Sequence, residues 1–578
     1  MKLKQILAVL LSSVMVLSAS PTEVFAFDDL AAFTDSSGEA VVETETEEVL
    51  PDTEDIDEVS DADAASDVEQ NDIAEEESAA ENELEELQPE ISGESTDPEN
   101  SEAEENTVSE FSDGENADFA VAQAAGTGNV TASGAVSETI TWTLYDDGKL
   151  EIEGTGKMPS YEYTTTPVPW KDYKEKIIKI SIGNGVTSIG DKAFMACGNL
   201  KSAEISDSVL SIEKSAFKEC VSLSKITLSQ SLKGIYQNAF EGCISLTEIA
   251  LPETLTGLGE YAFLNCSSLE NIKIPDKIVS IDSGLFKGCT KLKNITFSNN
   301  VESIMDEAFY GCESLENPVL PSGLKYIFVH AFRECQKITR IEIPDGVTVI
   351  SDYAFNTCEN LESVVIPDSV KKMGKYVFQN CRNLTDVTLS KEVTNILEGT
   401  FSYCEKLREI VIPEGVQIIS NQAFMSCSAL EKISLPNSLK SIGEGAFPCP
   451  SLKEITVPDS VIQISARAFD GCSSLEKIKL SKNVTSISEL MFAYCEGFRE
   501  FIVPEQITDI QARAFLKCEN LSIITIPASV TSIQPDAFSE CGNLSAIRFT
   551  GSKETWDKLG LTDENINHAT VYYNYKAD

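Results

Sequence analysis

Apolar residues between Val186 and Arg548 recur with a fixed period along the chain. Each copy of the pattern carries one phenylalanine, and consecutive markers lie 23 residues apart, except for one step of 22 residues. The sixteen markers are Phe194, Phe217, Phe240, Phe263, Phe286, Phe309, Phe332, Phe355, Phe378, Phe401, Phe424, Phe447, Phe469, Phe492, Phe515 and Phe538. A fixed period of this length is typical of a solenoid, in which each coil packs only against its neighbours.

Within one copy, the apolar positions predict a short strand. The string from Leu407 to Pro413 (LREIVIP) contains the I-x-I alternation of a strand, whose side chains point to opposite faces in turn. A proline usually follows, and proline cannot continue a sheet ladder. Stacked copies would therefore align these strands as a parallel β-sheet on one face. The A-F-x-x-C stretch is poor in β-branched residues, so we expect a helical or 3₁₀ turn on the opposite side.

The full motif, I-x-x-I-x-x-x-A-F-x-x-C-x-x-L-x-x-I-x-I-P, resembles the BspA-type bacterial leucine-rich repeat. The flanking strings TWTLYDDGKLEIEGTGKMPSY, FTGSKETW and ATVYYNY resemble the flanking pieces of that family. The resemblance implies an α/β-type solenoid, a leucine-rich-repeat array of about sixteen 23-residue coils with a parallel β-sheet on one face and β-rich caps at both ends. It also implies a secreted or surface protein that binds other macromolecules, often host proteins, without catalysis.

Departures from the motif predict local irregularities. Pro318 takes the place of a strand isoleucine, which is expected to weaken that rung of the sheet. One residue is missing near Phe447 and Cys449, which is expected to pinch one turn. The alanine before the marker phenylalanine is replaced at Leu285, Val377, Thr400 and Met491.

The first 26 residues predict a secretory signal peptide. Lys2 and Lys4 precede an apolar run from Ile6 to Leu17, and the residues up to Ala26 suit cleavage after that alanine. The run is shorter than the ~20 residues that a membrane span needs, although an uncleaved membrane anchor is the alternative. No later apolar stretch is long enough for a span, so we expect the mature chain to be exported to the medium or the bacterial cell surface.

Residues 27–126 are predicted to form a disordered acidic linker. Residues 27–120 contain 36 Asp and Glu but no Lys or Arg, and they carry most of the net charge of −50. Such a segment is too polar to bury a core, and its charges repel one another. We interpret it as a solvated spacer, with a tail that binds cations or polycations as the alternative. The charge argues against nucleic acid or an anionic membrane as a partner.

Residues 127–180 are expected to cap the first coil. Thr139 to Tyr145 and Lys149 to Glu153 alternate around an Asp-Gly turn, which predicts a β-hairpin. Trp142 and Trp170 fall in the same segment, and we expect them to pack against the apolar end of the solenoid. A separate carbohydrate-binding module with exposed rings is the alternative.

A second cap is expected at residues 549–578, after a solenoid that we place at 181–548. Trp556 is predicted to pack there, and Ala569 to Tyr575 alternates as a closing strand. An array of this kind needs a cap at each end because its terminal coils would otherwise expose apolar surface.

Each repeat carries one cysteine in the same phase as the core residues. An even number of cysteines in an exported protein ordinarily suggests disulfides, but parallel side chains on adjacent rungs oppose the required S–S torsion. We predict a column of free, buried thiols, with disulfide pairs and metal ligation as the alternatives. The sixteen are Cys197, Cys220, Cys243, Cys266, Cys289, Cys312, Cys335, Cys358, Cys381, Cys404, Cys427, Cys449, Cys472, Cys495, Cys518 and Cys541.

The residues that carry catalytic or metal chemistry are scarce. His330 and His568 are the two histidines, and we expect His330 to be an exposed turn residue. The sequence has no G-x-S-x-G string and no glycine-rich phosphate loop. Carboxylates are numerous enough to supply a glycosidase-like pair, but no insertion breaks the repeat to build such a site. We therefore predict no enzyme activity, no cofactor and no metal site.

The outward row of the sheet is the candidate partner-binding face. Its most apolar stretch runs from Val319 to Val411, although the strand preference of Val and Thr explains the row equally well. We predict adhesin-like binding of a protein or glycan ligand, host-derived or not, by a monomer; the alternative is a structural spacer or a self-interacting envelope component. The candidate residues are Val319, Glu342, Val365, Thr388, Val411, Ser434 and Thr456.

Overall fold

The structure, a computed structural model, describes residues 128–162 and 165–576, so the predicted signal peptide and acidic linker lie outside the described residues. The regular elements of the described part are short strands joined by turns, with one 3₁₀ helix at Lys171–Lys176 and one α-helix, α1, at Lys553–Asp557. In chain order the strands are β1 (Val130–Ala135), β2 (Ile140–Tyr145), β3 (Lys149–Gly154), β4 (Gly156–Lys157), β5 (Lys179–Ile182), β6 (Val186–Ile189), β7 (Ser202–Ile205), β8 (Ser211–Ile212), β9 (Lys225–Thr227), β10 (Gly234–Ile235), β11 (Gly257–Leu258), β12 (Asn271–Lys273), β13 (Ser280–Ile281), β14 (Asn294–Thr296), β15 (Ser303–Ile304), β16 (Tyr326–Ile327), β17 (Arg340–Glu342), β18 (Val349–Ile350), β19 (Ser363–Val365), β20 (Lys372–Met373), β21 (Asp386–Thr388), β22 (Asn395–Ile396), β23 (Glu409–Val411), β24 (Ile418–Ile419), β25 (Lys432–Ser434), β26 (Ser441–Ile442), β27 (Glu454–Thr456), β28 (Gln463–Ile464), β29 (Lys477–Lys479), β30 (Ser486–Ile487), β31 (Glu500–Ile502), β32 (Asp509–Ile510), β33 (Ile523–Ile526), β34 (Ser532–Ile533), β35 (Ala546–Phe549) and β36 (Thr570–Tyr572).

The I-x-I segments form the predicted parallel sheet, which we call the first ladder. Within each continuous run a strand pairs with the equivalent strand of the next coil, and residue i usually lies beside residue i+23, as Ser202 lies beside Lys225. The pairing is continuous in runs of two to four strands. The strands of the first ladder are β5, β7, β9, β12, β14, β17, β19, β21, β23, β25, β27, β29, β31, β33, β35 and β36.

A second ladder, which the sequence analysis did not predict, runs along the V-x-x-I positions of the repeat. Most of its strands are only two residues long, such as β18 (Val349–Ile350), and they too pair in parallel with the neighbouring coils. The strands of the second ladder are β4, β6, β8, β10, β11, β13, β15, β16, β18, β20, β22, β24, β26, β28, β30, β32 and β34. Each coil therefore has two sheet faces joined by turns.

The A-F-x-x-C segments are successive turns rather than the helical or 3₁₀ turns that we expected. In the first coil, the N–H of Met195 donates to the carbonyl of Lys192, and that of Cys197 donates to Phe194. Lys192 and Ala196 interrupt any helix because their φ angles are +56° and +58°, in the left-handed region. The N–H of Phe194 instead donates to Ala216 in the next coil, at 2.8 Å. The turns thus form a third line of hydrogen bonds along the solenoid.

The marker phenylalanines form one continuous buried column through the array. From Phe194 to Phe538, the ring centroids of consecutive markers are 5.2–5.8 Å apart. Offset stacking of this kind adds to the free energy gained by removing the rings from water. The column explains why the marker residue does not vary among the sixteen copies.

The missing residue near Phe447 pinches one turn, as predicted. In the preceding coil, the N–H of Cys427 donates to the carbonyl of Phe424, three residues back. In the shortened coil, the N–H of Cys449 donates to the carbonyl of Phe447, only two residues back. The tighter turn keeps the cysteine and phenylalanine columns in register across the shortened coil.

At the N-terminal end, the predicted hairpin is present as β2 and β3, which pair antiparallel. A further strand, β1, pairs antiparallel with β2, and β3 pairs in parallel with β5 at the start of the first ladder. Trp142 and Trp170 are buried and lie edge to face, with ring centroids 6.2 Å apart. The rings therefore belong to the core and are not exposed for a ligand.

At the C-terminal end, α1 follows β35 of the first ladder. Ser552 begins the helix, and its hydroxyl accepts a hydrogen bond from the N–H of Thr555. The helix buries Trp556 against Phe549, with ring centroids 5.2 Å apart. The chain then returns as β36, a short strand within the predicted Ala569 to Tyr575 stretch, which pairs in parallel with β35.

Candidate binding face

The candidate residues occupy the outward side of the first ladder. Within β17, β19 and β23, the middle residues Ile341, Val364 and Ile410 face the core and are buried. Residues on either side of each middle residue point to solvent, because side chains alternate along a strand. All seven candidates are exposed: Val319, Glu342, Val365, Thr388, Val411, Ser434 and Thr456.

The structure brings these candidates together in short runs of directly paired residues. Glu342 lies beside Val365, and Val365 lies beside Thr388, in consecutive coils of the first ladder. Val411 lies beside Ser434 in the same way. The role of the row in binding a partner stays a prediction, but its members form one surface.

Three valines stand out on this surface because they are large, apolar and open to water. The exposed fraction is 84% for Val319, 55% for Val365 and 68% for Val411. Ile502 is exposed to 65% at the equivalent position four coils beyond Val411. Isolated exposed apolar residues are common on soluble proteins, but a regular row on a sheet marks a candidate contact surface.

The first ladder is interrupted at the start of this surface. Pro318 replaces a strand isoleucine, and residues 317–320 form no strand, as the sequence predicted. Asn317 adopts a φ of +40°, and its side-chain Oδ1 accepts hydrogen bonds from the N–H groups of Thr339 (2.8 Å) and Arg340 (3.0 Å). The side chain thereby replaces a backbone carbonyl that other coils supply to the following rung.

A shallow depression opens at this interruption. Its volume is about 440 Å³, and Val319 forms part of its wall. The depression offers both apolar and charged groups to a partner, since its walls include proline and leucine as well as an arginine and two carboxylates. It is lined by Asn317, Pro318, Val319, Leu320, Ser322, Arg340, Glu342, Ile343, Pro344 and Asp345.

Acidic residues are more numerous than basic residues around the three valines. Glu342 and Glu409 are exposed on the outward side of their strands, and Glu362 is exposed directly before β19; within the described part of the chain none of the three forms an ion pair. Asp386 is also exposed and accepts a hydrogen bond from the hydroxyl of Thr385. Arg340 lies in β17 and Arg408 directly precedes β23, and they are the basic residues within or next to β17, β19, β21 and β23. The surface therefore presents negative charge that is left for a partner to neutralise.

His330 belongs to an aromatic stack on the turn side of the solenoid and is not the exposed residue that we expected. Its ring centroid lies 4.8 Å from that of Tyr353 and 6.3 Å from that of Tyr310. Tyr376 extends the stack, 4.8 Å beyond Tyr353. Burial lowers the pKa of His330, and the nearby Arg333 lowers it further. The expectation failed because the residues that stack on His330 lie 20 and 23 residues away in sequence.

The cysteines lie in the core as free thiols, in agreement with the prediction of a buried column. The Sγ of Cys220 donates to the carbonyl of Phe194, which lies in the preceding coil, at 3.1 Å, and Cys243 contacts Phe217 in the same way. Burial raises the pKa of the Cys197 thiol to about 12. A thiol in this environment is a poor nucleophile because it is protonated at physiological pH.

The structure adds two observations on metal and membrane sites. Over residues 128–162 and 165–576, no group of three or more His, Cys, Asp and Glu side chains is placed to hold a metal ion. Within the same residues, no helix has the length and apolar character required to cross a bilayer.

Comparisons with known proteins agree with the repeat architecture. A family model described as a BspA type leucine rich repeat region of six copies matches five overlapping stretches: 172–281, 256–385, 326–448, 371–496 and 446–567. These stretches together span more than half of the 578 residues. No curated protein matches the chain in sequence.

Solved structures of other bacterial repeat proteins are similar. A leucine-rich repeat protein from Eubacterium ventriosum is 29% identical and covers 60% of this chain and 95% of its own, with a TM-score of 0.43. One from Bacteroides ovatus is 24% identical and covers 76% and 99%, with a TM-score of 0.46. A leucine rich cell surface protein from Faecalibacterium prausnitzii is 25% identical and covers 74% and 97%, with a TM-score of 0.30.

Proposed function

Because the chain belongs to the BspA-type leucine-rich repeat family, we propose that it is a secreted or cell-surface recognition protein that binds a macromolecule through the first ladder. Long repeat arrays offer extended surfaces of this kind, on which neighbouring coils contribute equivalent positions to one contact. The proposal assigns the repeats to binding and gives them no catalytic role.

The observation that carries the proposal is the row of exposed valines on a hydrogen-bonded sheet. Val319, Val365 and Val411 place apolar side chains in water, although the strands of Val365 and Val411 are held in fixed register by the neighbouring coils. A rigid surface loses little conformational entropy when a partner binds, so burial of these side chains adds directly to affinity.

Export to the medium or the cell surface is part of the same proposal. The signal peptide that the sequence predicts at residues 1–26 supports it. The acidic linker that follows would keep the repeats away from the point of attachment or secretion, because charge repulsion extends such a chain.

The direct test is binding of the full-length chain to a panel of extracellular-matrix proteins, mucins and glycans at physiological salt. One saturable interaction that is lost in the double variant Val365→Asp/Val411→Asp would support the proposal. Ile502→Asp is the matched control, since Ile502 is equally exposed in the same row but lies outside the proposed surface. Absence of binding across the panel, together with ordered self-assembly of the purified chain, would favour the structural alternative.

A further inference from the structure

We infer that the partner is a protein and that it docks an amphipathic helix along the Val319–Val411 surface. The helix would present apolar side chains seven residues apart and carry basic residues beside them. This inference rests on the proposed function and adds the chemical class and the shape of the partner.

The apolar side chains of the surface recur at every second coil. Val319, Val365 and Val411 are 46 residues apart, and Glu342 and Thr388 occupy the coils between them. Parallel strands lie ~4.8 Å apart, so two coils separate successive valines by ~9.6 Å. The three side chains therefore form a row of evenly spaced contacts about 19 Å long.

This spacing selects among the conformations of a polypeptide partner. Residues i and i+7 of an α-helix lie on one face and are ~10.5 Å apart, close to the separation of the valines. An extended strand offers same-face positions at only ~6.6 and ~13 Å, because its side chains alternate. A polyproline helix repeats every ~9.3 Å and fits the spacing as well, but such segments dock in grooves lined by aromatic side chains, and none of the seven candidate residues is aromatic. A helix of about 15 residues would match all three valines through positions i, i+7 and i+14.

The chemistry of the row favours protein over glycan. Sugars pack their C–H faces against aromatic rings, and none of the seven candidate residues is aromatic. Branched aliphatic side chains gain most from contact with other apolar side chains, as when the apolar face of a helix is buried in a groove. The exposed valines thus match leucine-like residues of a partner.

The carboxylates in and beside the valine row indicate that the partner carries positive charge. Glu409 lies two residues before Val411 in the same strand, which places it ~7 Å to one side of the valine row. Glu362 and Glu342 are exposed in neighbouring coils, and neither has an ion-pair partner within the described residues. Lysine or arginine residues next to the apolar stripe of a helix would lie opposite these carboxylates, which favours binding and its orientation.

The test uses the full-length chain and a designed peptide of about 18 residues, with Leu at i, i+7 and i+14, Lys beside them and Ala elsewhere. Three comparison peptides change one property each. The first places Leu at every second residue, the second replaces Lys with Glu, and the third presents Leu at every third residue of a polyproline helix. We expect the heptad-spaced basic peptide to bind at least about tenfold more tightly than each of the others.

Variants of the protein then locate the contact. Val365→Asp should weaken binding of the basic peptide by about tenfold, although it adds a charge that attracts lysine, because it removes an apolar contact. Ile502→Asp should leave binding unchanged. Glu362→Gln/Glu409→Gln should weaken binding, whereas Glu454→Gln/Glu476→Gln, which removes two exposed carboxylates from later coils, should not. The acidic linker is present in every variant, so its own attraction for lysine cancels in these comparisons.

The inference is overturned if the basic peptide fails to bind, or if it binds all variants equally. It is also overturned if the polyproline, alternating or acidic peptide binds as well as the heptad-spaced one. Saturable binding of a glycan or another macromolecule from the panel to this face, without binding of the peptide, would leave the proposed function standing and remove only the helical partner.

Discussion

Trp170 stacks on Phe194 as though it were one more ring of the phenylalanine column. The two ring centroids are 5.4 Å apart and the ring planes differ by 17°. The indole N–H of Trp170 also donates to the carbonyl of Ala193 at 3.1 Å. A residue outside the repeats therefore completes the core of the first coil by stacking and by a hydrogen bond.

The first prediction concerns this closing ring. Trp170→Ala should lower the free energy of unfolding by about 3–5 kcal/mol, because it leaves a cavity at the end of the column. Trp170→Phe should lose only about 1 kcal/mol, since it keeps the stacking and gives up the hydrogen bond. Chemical denaturation followed by circular dichroism measures both, and equal losses in the two variants would contradict the role of the stack.

A second prediction follows from the buried thiols. Burial raises the pKa of the Cys266 and Cys358 thiols to about 12, and it raises the pKa of the other thiols from Cys197 to Cys518 as well. A thiol-specific aromatic disulfide reagent should therefore leave these residues unmodified in the native protein at about pH 8. In denaturant all sixteen cysteines should react; rapid modification of the folded chain, or fewer than sixteen thiols after unfolding, would refute the free buried column.

The third prediction tests the side chain that bridges the interrupted rung. Asn317→Ala removes the acceptor for the N–H groups of Thr339 and Arg340 and should cost about 1–3 kcal/mol of folding free energy. Asn317→Asp keeps an oxygen at the same place and should cost less. Unfolding midpoints of the two variants provide the comparison, and an Ala variant as stable as the parent would show that water replaces the side chain at no cost.

The fourth prediction is a dependence of stability on pH. Burial raises the pKa of Asp282 from 3.8 to about 6, although a hydrogen bond from Ser280 partly opposes the shift. A carboxyl with a raised pKa in the folded state contributes stability that is full below about pH 4 and is lost as the pH rises through about 6. Asp282→Asn should therefore raise the free energy of unfolding at pH 7 by on the order of 1 kcal/mol and have little effect at pH 4.

Thermal unfolding of this variant and the parent between pH 4 and pH 7 would measure the effect. Asp276→Asn, which changes an exposed carboxylate in the preceding turn, is the control and should follow the parent at every pH. A stability difference between parent and Asp282→Asn that does not change with pH would contradict the assignment.

The parts of the fold that could be predicted are the strands in which apolar and polar residues alternate. The I-x-I segments became the first ladder, and the residue between the two apolar positions, such as Val365, points outward as a period of two requires. Pro318 interrupted the ladder where it was expected to, because proline lacks the N–H that the pairing needs. The exposure of the valines therefore follows from sequence, whereas their use by a partner depends on chemistry that the chain alone does not contain.

The turns and the second ladder were missed for a physical reason. A two-residue strand such as Val349–Ile350 is too short to show alternation, and its stability comes from the coils on either side. The sequence did contain a signal for the turns. Gly284 and Gly399 each lie two residues before a marker phenylalanine, and each has a φ of +58°. Repeated glycine at one phase of a repeat marks a left-handed backbone position, which a helical turn would not contain.

The 23-residue offset between paired strands also determines how the molecule would respond to force. Ladder hydrogen bonds run along the solenoid axis, so tension applied to the two ends of the array would break the hydrogen bonds of one rung before those of the next. Each coil that opens lets out 23 residues, about 75 Å of extended chain, and exposes the next rung to the same load. A chain built in this way would lengthen in small, nearly equal steps while its remaining coils stay folded.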